Sequence, residues 1–168
     1  MGGLQVTRKT FVPDDGNYVR YLEILTNPVG GAYGNVSITS DVQLYGHLAD
    51  PVRVVHSATA TGNHYFVADD GGTAADRAVM ADVMGGASAT TVATVRMQQV
   101  GGRTAKSYTV TVPDGQTRIL MHFVVQRAAG DAAGVEAQAL SLATLTDPNM
   151  LTGLTATERA QIVNFRVP

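Results

Sequence analysis

Four histidines, His47, His56, His64 and His122, are the residues of this chain best suited to acid–base or metal chemistry. Their spacing serves neither purpose. No two stand as His-x-His, His-Glu-x-x-His or His-x₃-His, so no single strand or helix offers two imidazoles to one zinc. His122 lies inside Arg118-Ile119-Leu120-Met121-His122-Phe123-Val124-Val125-Gln126, the most apolar run of the chain. A hydrogen-bonded histidine in the core or between two sheets is expected there. The chain has no Cys, which removes thiolate nucleophiles, disulfides and Cys-ligated zinc together. Gly86-Ala87-Ser88-Ala89-Thr90 lacks the second Gly of a nucleophile elbow. Gly30-Gly31-Ala32-Tyr33-Gly34 opens a strand rather than a helix, so it is no dinucleotide fingerprint. No catalytic residue is expected, and a hydrolase pairing His with Ser or Asp rests only on the presence of those residue types.

Acidic residues form the one constellation with a chemical meaning. Asp69-Asp70-Gly71-Gly72 and Asp76 fall within eight residues. A Gly-containing acidic loop offers calcium both carboxylates and carbonyls. The same residues also spell ordinary turn chemistry, with Asp at the first position and Gly where φ is positive. Asp14-Asp15-Gly16 is a second such loop, and neither has EF-hand spacing. Asp69, Asp70 and Asp76 are the candidate calcium ligands, and Tyr65 beside them is the candidate ligand-binding aromatic. Together they suggest a calcium-dependent carbohydrate- or surface-binding module. No other cofactor is indicated. A glycosidase pair of carboxylates is not indicated either, and there is no Trp to stack on a sugar.

The elements that must carry these residues read as strands. Turn signals recur every 8–15 residues, among them Pro13-Asp14-Asp15-Gly16, Asn27-Pro28-Val29-Gly30-Gly31 and Pro113-Asp114-Gly115. Between them lie Thr- and Val-rich runs at Leu4–Val12, Tyr18–Leu25, Asn35–Val42, Val52–Ser57, His64–Ala68, Asp76–Met84, Thr91–Val100, Thr104–Val112 and Arg118–Gln126. In Ser107–Val112 the set Tyr108, Val110 and Val112 points inward, while Ser107, Thr109 and Thr111 point outward. In Tyr18–Leu25 neither face is wholly polar, which marks a central strand. Gly-Gly-Arg predicts a hairpin between Thr91–Val100 and Thr104–Val112. Pro-Asp-Gly-Gln predicts another across residues 112–117. After Gly130, Ala, Leu, Glu and Gln take over. Val135, Ala139, Leu142 and Leu145 share a helical stripe that Pro148 is expected to end. Thr155-Ala156-Thr157-Glu158 is a capping box that opens a second helix.

The fold class is therefore mainly β: an antiparallel β-sandwich, Ig-like or jelly-roll-like, with two short C-terminal helices packed on it. A single domain over 1–168 is expected, with strands over 4–127 and a helical appendage over 130–165. The 168 residues carry 12 basic and 14 acidic side chains, for a net charge of −2. That balance gives no footprint for nucleic acid. Arg8-Lys9, the one adjacent basic pair, fits a solvated strand edge. No apolar run reaches the ~18 residues of a membrane span. Met1-Gly2-Gly3 leads straight into Leu4-Gln5-Val6-Thr7 without a leader pattern.

Four segments together resemble the β-sandwich repeat modules of large, exported, surface-associated bacterial proteins. They are Val6–Pro13 with Tyr18–Pro28, Tyr65–Gly71, Met121–Gln126, and Gly153-Leu154-Thr155 with Ile162–Phe165. Such modules have no assigned catalytic activity. The resemblance implies a non-enzymatic structural or adhesive module, extracellular or at the cell surface, as part of a longer chain. Its implied partners are neighbouring modules of the same polypeptide, other surface proteins or polysaccharide.

Overall fold

The computed structural model describes residues 3–30, 35–43, 53–57, 64–69, 78–86, 89–91, 93–98 and 103–168. Among the described residues nine strands precede two helices: β1 (Gln5–Phe11), β2 (Tyr18–Thr26), β3 (Asn35–Gln43), β4 (Arg53–Ser57), β5 (His64–Asp69), β6 (Val79–Gly85), β7 (Thr94–Gln98), β8 (Arg103–Thr111), β9 (Thr117–Arg127), α1 (Ala132–Ala143) and α2 (Ala156–Gln161). All strand pairs are antiparallel. Six strands form one sheet in the order β1-β2-β9-β6-β5-β4, and three form a second in the order β3-β8-β7. The β-sandwich with two C-terminal helices is what the alternation and the late change of composition lead one to expect.

Both faces of the large sheet are covered, and this is why β2 and β9 lack a polar face. One face carries Leu22, Ile119, Met121, Phe123 and Val125, packed under Val135, Ala139, Leu142 and Ala143 of α1. The other carries Leu25, Phe66, Met84 and Leu120, packed under Tyr108 and Val110 of β8 and the adjoining Val112. Burying a Val or Leu of this kind contributes roughly 1.5–3 kcal/mol, so each layer is held by several such side chains. The inward set predicted for β8 is the observed one.

Two expectations are corrected. The hairpin predicted across residues 112–117 does not form. The turn is present, with the Gln116 N–H donating to Pro113 O at 3.0 Å and Gly115 at φ 68°. Yet β8 pairs with β3 and β7, while β9 pairs with β2 and β6. The turn steps from one sheet to the other because both flanking strands have apolar faces to bury against each other. The other predicted hairpin is present as β7–β8. The first helix ends at Ala143, well before Pro148. Thr144 caps it, and Leu145 takes a positive φ of 58°.

The C-terminal segment completes the large sheet. β6 pairs with β9 only from Val79↔Arg127 to Val83↔Phe123. Beyond that point Ile162 bridges Ile119, and the Val163 N–H donates to Ile119 O at 3.0 Å. The fully buried Asn164 side chain stands in for missing backbone. Its Oδ1 accepts from the Met121 N–H at 2.9 Å, and its Nδ2 donates to Met84 O and Met121 O at 2.8 and 2.6 Å.

Candidate functional site

Charged side chains meet between the two sheets. Extending the inward alternation of β8 back from Tyr108 reaches Lys106, and in β2, β6 and β9 the same face holds Glu23, Asp82 and His122. Lys106 and Asp82 are each 1% exposed. The ammonium donates to Asp82 Oδ1 at 2.7 Å and Oδ2 at 2.8 Å, and to His122 Nδ1 at 2.9 Å. An ammonium has three donors and no acceptor, so all three are spent. Nδ1 of His122 must then be unprotonated, and the Nε2–H donates to Glu23 Oε1 at 3.2 Å. Glu23 also accepts from Arg8 Nε at 2.8 Å. The Tyr21 ring stacks on His122 at 5.0 Å, and the Arg8 guanidinium lies 5.4 Å from the centre of that ring. Lys106, Asp82, Glu23 and Arg8 sum to zero charge while His122 is neutral.

The pH behaviour of the cluster follows from these contacts. Burial pushes the His122 ring below its ordinary value, against the pull of Glu23, and Lys106 pushes the same way as burial. For Glu23, burial favours the neutral acid, but hydrogen bonds from His122 and Arg8 outweigh it and bring the carboxyl down to about 2. With both ring nitrogens and all ammonium donors engaged, neither His122 nor Lys106 presents a free atom to a substrate. The expectation of a satisfied inter-sheet histidine holds.

A cleft adjoins this network. In register, Asp82 of β6 faces Val124 of β9, and Val124 faces Val19 of β2. Val19 and Val124, only half-buried, line an open cleft of about 650 Å³ together with Val12 and Ala78. Asn17, Gln126 and Arg127 also line it. Arg127 is held by Asp131 at 2.6 Å, and Asp131 in turn caps α1. A smaller cleft of about 380 Å³ lies between Phe11, Asp14, Asp15, Asn149 and Thr152. Next to it, the buried Arg20 guanidinium donates to Met150 O and Thr152 O.

The predicted site residues lie elsewhere. Asp70, Asp76 and His47 fall outside the described residues. Asp69 ends β5, half-buried and opposite Arg53 in register. Tyr65 is 3% exposed and belongs to the core beneath α1. His56 and His64 lie on β4 and β5. Among the described residues no three His, Cys, Asp or Glu gather as metal ligands. No helix of the described residues is long and apolar enough to cross a membrane. Arg8 and Lys9 lie on the edge strand β1, as expected of a basic pair, and are ion-paired to Glu23 and Glu158. The signal for the buried network was available: Lys106, Glu23 and Asp82 occupy inward positions of alternating strands, where a charge requires a partner.

No family model matches the chain. No curated protein matches it either. Among solved structures, one described as "Putative kojibiose phosphorylase from human microbiome" is similar at a TM-score of 0.45 and 9% identity, over 91% of this chain and 19% of that one. The chain thus spans about a fifth of that protein's length. This comparison lends no support to the expectation of a non-enzymatic structural or adhesive module, and that expectation is not carried forward. A likeness of this size transfers no substrate, activity or residue.

Proposed function

We propose that the chain is a carbohydrate-recognising β-sandwich domain that seats a neutral saccharide in the cleft of Val12, Val19, Val124, Asn17, Gln126 and Arg127. The observation that carries this reading is the make-up of the cleft: aliphatic side chains together with two amides and a guanidinium. Its volume lies within the roughly 300–1,000 Å³ of small-molecule sites. A sugar ring has C–H faces that suit valines, and hydroxyls that both donate and accept. Amides match such hydroxyls because they carry both functions themselves. Arg127 is already neutralised by Asp131, so the cleft holds no unpaired charge that would select an anion.

Thermal unfolding with a panel of neutral mono- and disaccharides, each with and without calcium, tests this. At a hundredfold excess over Kd, binding contributes about 2.7 kcal/mol. For a chain of this size that raises Tm by about 5–10 °C. The shift should vanish in Gln126→Ala and Asn17→Ala. The reading fails if no saccharide moves Tm, or if the shift survives both substitutions. A shift that requires calcium would favour the acidic loop around Asp69 and Asp70 over this cleft.

A further inference from the structure

We propose that His122 is a proton-operated latch between the two sheets: neutral, it accepts the Lys106 N–H and seats β8 on the large sheet; protonated, it turns that contact into two opposed donors and releases β8. The contact is the basis of the inference. Lys106 reaches across from the three-stranded sheet, and its 2.9 Å contact with Nδ1 requires a lone pair on that nitrogen. A proton there removes the acceptor and places a second cation against the ammonium, within a pocket where both groups are nearly shut off from water. The ring has no second arrangement to fall back on. Its other nitrogen already donates to Glu23, and Tyr21 covers one face.

The surrounding groups leave His122 as the one that acts in this way near neutral pH. β1 contributes Arg8 and β2 contributes Glu23 and Tyr21. β6 contributes Asp82, and β8 contributes Lys106 and Tyr108, whose hydroxyl donates to Met84 O at 2.8 Å. β3 and β7 place Ser40 and Val95 opposite Lys106 in register, neither of them ionisable in this range. Glu23 stays ionised down to about 2. Burial pushes the Tyr108 hydroxyl far above its ordinary range, so it stays neutral throughout. The sign follows from linkage. A ring whose pKa lies lower in the folded chain than in the unfolded one contributes stability at pH above the unfolded value of about 6.5. That contribution falls away as pH drops towards the folded value.

The experiment combines hydrogen exchange with NMR of the histidine ring on the whole chain, at about pH 8 and about pH 5. At the higher pH the ring should be the Nε2–H tautomer with a bare Nδ1. On acidification the amides of β8 should lose protection, after correction for intrinsic exchange, by about tenfold for each pH unit below about 6.5 until the folded value is reached. Amides pairing β2 with β9 should keep theirs. In His122→Asn the amide oxygen accepts from Lys106 and does not titrate, so β8 protection should be flat with pH. The latch is overturned if Nδ1 carries a proton at the higher pH, if β8 keeps its protection in the wild-type chain, or if the asparagine variant loses it equally. Should that variant fail to fold, the tautomer and the wild-type exchange decide the matter.

Discussion

Replacing Lys106 by methionine tests whether the charged network holds the sandwich together. Methionine keeps the unbranched stem and removes the ammonium. Among the described residues Asp82 receives side-chain hydrogen bonds from Lys106 alone, at 2.7 and 2.8 Å, and is 1% exposed. The substitution therefore strands a carboxylate in the interior. Breaking a buried pair in this way costs about 3–5 kcal/mol. His122 Nδ1 loses its donor at the same time. Differential scanning calorimetry should show Tm lowered by roughly 6–20 °C at neutral pH, at about 2–4 °C per kcal/mol for a chain of this length. The double variant Lys106→Met with Asp82→Leu removes both charges. Only the unpaired imidazole nitrogen then remains, at about 1–3 kcal/mol. The double variant should be more stable than the single one, which is the opposite of additive loss. A single variant within about 1 kcal/mol of the parent, or a double variant no better than the single, would refute the reasoning.

Three further outcomes are expected. Asn164→Ala removes three hydrogen bonds made by a fully buried side chain to the Met84 and Met121 backbone, and urea unfolding should register a loss of about 3 kcal/mol. Gly86→Ala would place a Cβ 2.9 Å from Ala143 O and 3.0 Å from Phe165 Cδ1; the tail or the end of α1 must shift, so chemical denaturation should show a loss of about 1–3 kcal/mol. The third concerns acid: Glu23 titrates near 2 in the folded chain and near 4.5 as an unperturbed group, so what its ionised form contributes is complete above about 4.5 and is lost as pH falls towards 2. Removing a partner with Arg8→Ala should move the acid-unfolding midpoint upward, as followed by circular dichroism.

The parts of the fold that were legible in the sequence were those in which one local pattern decides. The alternation through Tyr108, Val110 and Val112 gave the buried face of β8, and Thr155 with Glu158 gave the N-terminus of α2, where both reciprocal capping bonds form. Pairing partners were harder to read. Pro113-Asp114-Gly115-Gln116 specifies a tight reversal, but a reversal in one sheet and a step between two sheets need the same turn residues. What decides between them is the apolar face each strand carries and what lies opposite it, which is non-local. The site was missed for a related reason. Asp69 and Asp70 stand together in the sequence, whereas the residues that meet in space come from five different strands. Arg8, Glu23, Asp82, Lys106 and His122 are each alone in their segments, and no spacing rule joins them.

That arrangement also explains why the two faces of the large sheet differ. The face under α1 is closed by segments that follow β9 directly, namely α1 and the stretch through Phe165, and its interface is mostly apolar, with the buried Arg20 guanidinium spent on the Met150 and Thr152 carbonyls. The three-stranded sheet is tied to β9 by the turn at residues 113–116, and its third strand, β3, comes from a separate part of the chain. An apolar layer of Val110, Val112, Leu25 and Leu120 would by itself tolerate a slip of two residues along the strand, since each slip returns aliphatic side chains to the same face. Lys106 does not tolerate it. A shift of one two-residue step carries its ammonium about 7 Å along the strand, away from both Asp82 oxygens and from Nδ1. The charged cluster is costly to bury, and what it adds over an aliphatic layer is a set of contacts that fits one register, alongside the Tyr108 hydroxyl on Met84 O, where β8 lies against β6 and β9.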